Sequence, residues 1–169
     1  RPKRSGYSLF HLIAAADGAE VSTYIKNVDQ NNISDEGVEL LAKLPLLVRL
    51  SICIPMNNSG NTKITKRGLS RLGQLRLIEL GVGKCLQQHR LEQYGDDEAS
   101  VLARHHSDLK VLSTQQNYIG WEGVAMVASN VKNLENISLE DNKDILMGIS
   151  LLQRLPHLRI LRASTSKLR

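Results

Sequence analysis

The sequence predicts an α/β solenoid, with a curved sheet of parallel strands inside, helices outside and about six stacked repeats. Three observations carry this. The pattern L-x-x-L-x-L-x-x-N recurs along the chain. Its copies are separated by 24 to 34 residues, enough for one strand, a turn and one helix. Between copies, aliphatic residues return at helical three- and four-residue steps.

Residues 1–20 are expected to form an N-terminal capping segment. RPKRSGYSLFHLIAAADGA has the basic head and short apolar run of a secretory signal, but His11 interrupts the run. A short amphipathic helix from about Ser8, with Leu9, Leu12 and Ile13 over the end of the stack, fits it better.

Residues 21–169 make up the repeat domain, with copies starting at Thr23, Leu47, Leu75, Leu109, Leu134 and Leu158. LKVLSTQQNYI from Leu109 and LENISLEDN from Leu134 are the clearest, although Thr114 replaces an aliphatic residue in the first. Asn31, Asn117 and Asn142 fill the ninth position, and Pro55, Gly83 and Ser166 fill it in the other copies. An asparagine there can satisfy backbone groups that the turning chain leaves unpaired.

The helical halves follow. In SDEGVELLAKLP, Val38, Leu41 and Leu44 share a face with Leu40 beside them. Ser34 or Asp35 can cap that helix and Pro45 stops it. ITKRGLSRLGQL, IGWEGVAMVASNVKNL and MGISLLQRLPHL repeat the plan, the last closed by Pro156. The copy spanning 75–108 is long and irregular, with about ten residues beyond the period, as expected of an inserted loop.

NNISDEGVELLAKLPLLVRLSI and NYIGWEGVAMVASNVKNLENISL resemble leucine-rich repeats of the ribonuclease-inhibitor type. They are also similar to the GALA-type repeats of bacterial effectors, roughly N-x-I-x-D-x-G-x-x-x-L-A. The resemblance implies a leucine-rich repeat solenoid with strands on its concave face and a protein as the usual ligand. It also implies two settings. One is an effector acting on a host protein. The other is the recognition portion of a larger enzyme, such as a ubiquitin ligase whose catalytic or recruiting domain lies outside this chain. No F-box-like segment stands in residues 1–20.

Composition agrees with a repeated aliphatic core. The 169 residues suit one domain, and with 4% aromatic residues the core must be built from Leu, Ile and Val. The net charge of +5 sits at the ends, at Arg1, Lys3 and Arg4 and again at Arg154, Arg159, Arg162, Lys167 and Arg169. Asp96, Asp97 and Glu98 form an acidic run between them. The basic residues are not interleaved with aromatics as single-strand binding requires, so nucleic acid is not an expected partner. No run approaches the roughly 18 apolar residues of a membrane span, so no membrane partner is expected.

Cys53 and Cys85 are too few for a disulfide framework and read as free thiols. The expected location is cytoplasmic, or inside a host cell after delivery, with secretion left open; the sequons at Asn32, Asn57 and Asn136 matter only in that last case. Cys85, His89, His105 and His106 do not match a zinc spacing, and Gly81 and Gly83 do not make a phosphate loop. No catalytic residue, metal or cofactor is expected.

A partner is expected on the concave face, at residues between the buried aliphatics. One row reads Asn27, Ser51, Glu79, Ser113, Ser138, Arg162, and a second reads Asp29, Cys53, Gly81, Gln115, Glu140, Ser164. These residues are small or polar, without an aromatic hot-spot cluster. The insertion GVGKCLQQHRLEQYGDDE adds Lys84, Arg90 and Tyr94 as further binding candidates. Trp121, near a helix start, reads as a packing residue. The expected function is a non-catalytic protein–protein interaction module.

Overall fold

The computed structural model describes residues 24–25, 34–52, 64–83, 95–115, 117–142 and 144–164. The expected capping helix, Asn27, Asp29, Cys53 and the insertion residues Lys84, Arg90 and Tyr94 lie outside them. Strands and helices alternate: β1 (Tyr24–Ile25), α1 (Asp35–Leu41), β2 (Arg49–Ser51), α2 (Lys66–Leu72), β3 (Glu79–Gly81), α3 (Asp96–His105), β4 (Val111–Ser113), α4 (Trp121–Asn130), β5 (Asn136–Ser138), α5 (Leu146–Leu152) and β6 (Ile160–Arg162). The strands form one parallel sheet in sequence order. Among the described residues, each helix contacts the helices that precede and follow it.

The core lies between sheet and helices. Each inner strand buries its middle residue, Leu50, Leu80, Leu112 or Ile137. The helices return Val38 and Leu41, Leu69 and Leu72, Leu102, and Val124 and Val127 to the same apolar cluster. A three-residue strand cannot hold such a surface dry alone, so each unit depends on its neighbours.

Two registers differ from the sequence reading. Leu80 pairs with Leu50 and Leu112, which places the third copy's phase at Leu77, not Leu75. The run Leu75, Leu77, Ile78, Leu80 and Val82 permits either phase. Burial decides: Leu77, Leu80 and Val82 are buried, and Ile78 is only half-buried. Ile25 pairs with Leu50, so the first copy begins one residue earlier than Thr23. A helix is expected in every copy, but the residues of α3 were not singled out; the acidic run Asp96, Asp97 and Glu98 is its first turn, ahead of buried Ala99, Leu102 and Ala103.

Two polar ladders tie the units together. The Asn117 side-chain amide donates to the carbonyls of Thr114 (3.1 Å) and Val82 (3.0 Å), one in its own unit and one in the unit before. Asn142 does the same with Leu139 (3.1 Å) and Thr114 (2.7 Å), and its Oδ1 accepts from the Ile119 N–H at 3.1 Å.

The second ladder runs along the helix starts. Ser34 occupies the N-cap position of α1 but makes no capping hydrogen bond with its side chain; its hydroxyl donates to Glu36. Asp35 caps the next helix instead, accepting from the Thr65 N–H (2.8 Å) and hydroxyl (2.6 Å). Asp96 likewise accepts from the N–H groups of Gly120 (2.7 Å) and Gly123 (2.8 Å) in α4. A Cβ at Gly68 or Gly123 would strike the Asp35 or Asp96 carboxylate, so the third residue of each recipient helix is glycine. Between α2 and α3 the device is missing. Lys66 replaces the aspartate and bonds Asp97 at 2.6 Å, while Glu98 accepts the Gly95 N–H of its own helix at 2.9 Å.

His106 closes α3 in a different manner. Its carbonyl accepts the Leu109 N–H, as Val131 and Leu155 accept those of Leu134 and Leu158. The imidazole is buried, and neither ring nitrogen has a hydrogen-bond partner among the described residues. Desolvation, with the nearby charge of His105 second, pushes its pKa down to about 4.

Candidate binding face

Residues flanking the buried strand centres form columns across the sheet. Arg49, Glu79, Val111, Asn136 and Ile160 make one, and Ser51, Gly81, Ser113, Ser138 and Arg162 make the next. Glu79 therefore leaves the row predicted for it, and Gly81 stands beside Ser51 and Ser113. The two-residue shift of phase keeps Glu79 on the same face, because side chains alternate with a period of two. There it is paired with Arg49, Nε to Oε1 at 3.1 Å.

Much of this face is occupied by its own contacts. Gln115 Nε2 donates to Ser138 Oγ and to Glu140 Oε2, both at 2.8 Å, and the Ser138 hydroxyl lies 3.3 Å from the same carboxylate oxygen. Ser138, expected to meet a partner, is buried beneath this network. Ser51, Ser113, Gln115 and Glu140 are half-buried, whereas Arg162 and Ser164 are exposed.

Just before the strands a charged column begins. Lys110 Nζ lies 3.0 Å from Glu135 Oε1, and Arg159 follows in the next unit. The Lys110 hydrogen bond and charge, helped by Arg159 and His157, hold the Glu135 carboxyl below its ordinary pKa. On the helical side, hydrogen bonding to Lys66 lowers Asp97 in the same way.

The feature missed by sequence reasoning lies at the helix starts. Position by position, α1, α2 and α3 open with Asp35 and Glu36, Lys66 and Arg67, Asp96 and Asp97. α4 opens with Trp121 and Glu122, and α5 with Leu146 and Met147. Leu146 and Met147 are 69% and 73% exposed, and Tyr118 and Trp121 are exposed as well. The Trp121 carbonyl is among the nearest atoms to a Cβ built on Gly148, so the two helix starts adjoin.

Among the described residues, no three His, Cys, Asp or Glu side chains gather as a metal-ligand set. No described helix is long and apolar enough to cross a membrane. No protein-family model and no curated protein sequence matches this chain.

Proposed function

We propose that the chain is a leucine-rich repeat solenoid of about six repeats that works as a non-catalytic module for binding another protein. The parallel sheet in sequence order, the alternating helices and the asparagine ladder support the architecture. The binding role rests on one observation: exposed Trp121, Leu146 and Met147 stand at first-turn positions where the preceding helices carry charge, with exposed Tyr118 ahead of α4. A joint exposure of two aromatics and two large aliphatics is the mark of an interaction site on a soluble surface. The strand face serves as a polar flank, on which Glu79, Gln115 and Glu140 are already paired.

The test is a comparative pull-down. Baits are the unaltered chain, a Trp121→Ser/Met147→Ser variant and a Lys84→Glu/Arg90→Glu variant, each checked for folding by circular dichroism. Partners retained by the first and third baits and lost by the second support the helix-start surface. Equal recovery by all three baits removes it, and selective loss with the third moves the site to the insertion.

A further inference from the structure

The strands are parallel and follow sequence order, so all of them start at one edge of the sheet. Five turns build that edge, each leading from a helix into the next strand, and all five lie within the described residues. The N–H groups of Leu47, Leu75, Leu109, Leu134 and Leu158 close them in the same way, each on the carbonyl three residues earlier. Equivalent side chains therefore form rows. One residue before the accepting carbonyls stand Lys43, Arg71, His105, Asn130 and Arg154. Arg76 follows in the second turn, Arg104 adjoins His105, and Arg159 leads into β6. Lys43, Arg76, Arg104, Arg154 and Arg159 are exposed and Arg71 is half-buried. None of these six cations forms an ion pair among the described residues.

The acids of these turns are Asp108 and Glu135, and Glu135 is paired with Lys110. Helix dipoles favour cations in a last helical turn, which accounts for Arg71 and Arg104. They do not account for Arg76, Lys110 and Arg159, which lie at the strand starts. An edge of one sign that runs across five units draws a partner of the other sign. Nucleic acid fits it poorly. The five turns hold no Trp, Tyr or Phe on which a base could stack. A phosphate backbone also carries charge at every residue and meets Asp108 and Glu135 where it crosses them. A peptide can set a neutral residue there instead. A second copy offers fewer free acids than its sequence suggests. At its helix starts Asp35 is held by Thr65, Asp96 by Gly120 and Gly123, and Asp97 by Lys66.

We infer that the edge formed by the helix ends binds an extended acidic segment of a partner protein, laid across the units with its carboxylates on the cationic turns. Neighbouring helices pack about 8–10 Å apart, the reach of about three extended residues. The segment therefore carries a carboxylate at about every third residue, with small or polar residues between. The inference rests on the protein-binding reading but not on the Trp121 surface.

The test is fluorescence anisotropy at about 0.15 M salt, with the full chain titrated into a labelled peptide of Glu-Ser-Gly repeated four times. A Lys-Ser-Gly peptide and an oligothymidylate of equal length are the comparisons. Saturable binding of the Glu peptide is expected, tighter than that of the oligothymidylate, with none of the Lys peptide. Arg104→Glu/Arg154→Glu should weaken it about tenfold or more. Arg104→Gln/Arg154→Gln should weaken it in part, a check that introduces no repulsion. Arg67→Glu/Arg162→Glu changes the net charge equally away from this edge and should leave binding within about twofold. Circular dichroism checks the folding of each variant. Trp121→Ser/Met147→Ser should bind the peptide normally, so failure of the helix-start surface and failure of this edge are read separately. Absence of saturable binding, equal weakening by the two double-Glu variants, or tighter binding of the oligothymidylate overturns the inference. Self-association in sedimentation equilibrium that Arg104→Glu/Arg154→Glu abolishes also overturns it, since the occupant is then a second copy.

Discussion

The Asp96 carboxylate accepts the Gly123 N–H at 2.8 Å from one helix to the next. The same oxygen accepts from Gly120 at 2.7 Å, so one side chain satisfies two amides that α4 leaves open at its start. A Cβ on Gly123 would lie 2.6 Å from that oxygen and 2.9 Å from Ile119 Cγ2. Gly123→Ala should therefore destabilise the chain by about 1–3 kcal/mol, despite alanine's better helix propensity. Asp96→Ala should cost about 1–3 kcal/mol by unpairing the two amides. In the double variant the carboxylate is gone and the second cost should shrink. Urea unfolding of all four proteins measures the coupling.

His106 sets a dependence on pH. Its folded pKa of about 4 lies below the ordinary 6.5, so the unfolded chain binds the proton more readily. The stability this neutral imidazole allows is fully present above about 6.5 and is lost as pH falls towards 4. The loss approaches roughly 3 kcal/mol at the lower end. His106→Leu should remove that share of the acid sensitivity and stabilise the protein at neutral pH, since neither ring nitrogen has a partner among the described residues. Urea midpoints at about pH 5 and about pH 7 for both proteins check it; parallel pH profiles would count against the assignment.

Asn142 joins three backbone groups that no solvent reaches easily. Asn142→Leu matches its bulk but strands the Leu139 carbonyl and the Ile119 N–H, and leaves the Thr114 carbonyl to the Asn117 amide alone. The expected cost is about 3–5 kcal/mol, seen as a large drop in thermal midpoint. A drop no larger than that of an ordinary surface change would show that water replaces the amide.

Arg49 and Glu79 offer the opposite case. Their 3.1 Å ion pair is largely exposed. Arg49→Ala should change stability by under about 1 kcal/mol, and added salt should shrink even that. A loss well above this in urea unfolding would mean that the pair does more than solvate the strand face.

The alternation of strand and helix was legible because aliphatic spacing reports it directly, and Asn117 and Asn142 sit where the pattern placed them. The phase at Leu75 was not legible, since five aliphatics in eight residues satisfy two registers and only packing chooses Leu77. α3 was hidden by its position after an insertion, where the period gave no guide. Asp35 misled for another reason: its capping partner is Thr65, thirty residues away, and local rules assign a helix-start acid to its own helix. The burial of Ser138 could not be read either, because it depends on Gln115 and Glu140 closing over it from separate units. The expected sites at Asn27, Asp29, Lys84, Arg90 and Tyr94 fall outside the described residues.

The junction between α2 and α3, where Lys66 replaces the bridging aspartate, has a consequence for how the molecule comes apart. Among the described elements, helix contacts run between sequential neighbours, so cooperativity passes through each junction in series. Here the polar contacts across the junction are the ion pairs of Lys66 with Asp97 and, at 3.8 Å, with Glu98, whose carboxylate also accepts the Gly95 N–H of its own helix. Heat or denaturant acting on such a molecule meets two cooperative blocks hinged at a weak seam. Hydrogen exchange should reveal the seam as a step in protection, with the units from α3 to β5 opening together and the earlier ones opening separately.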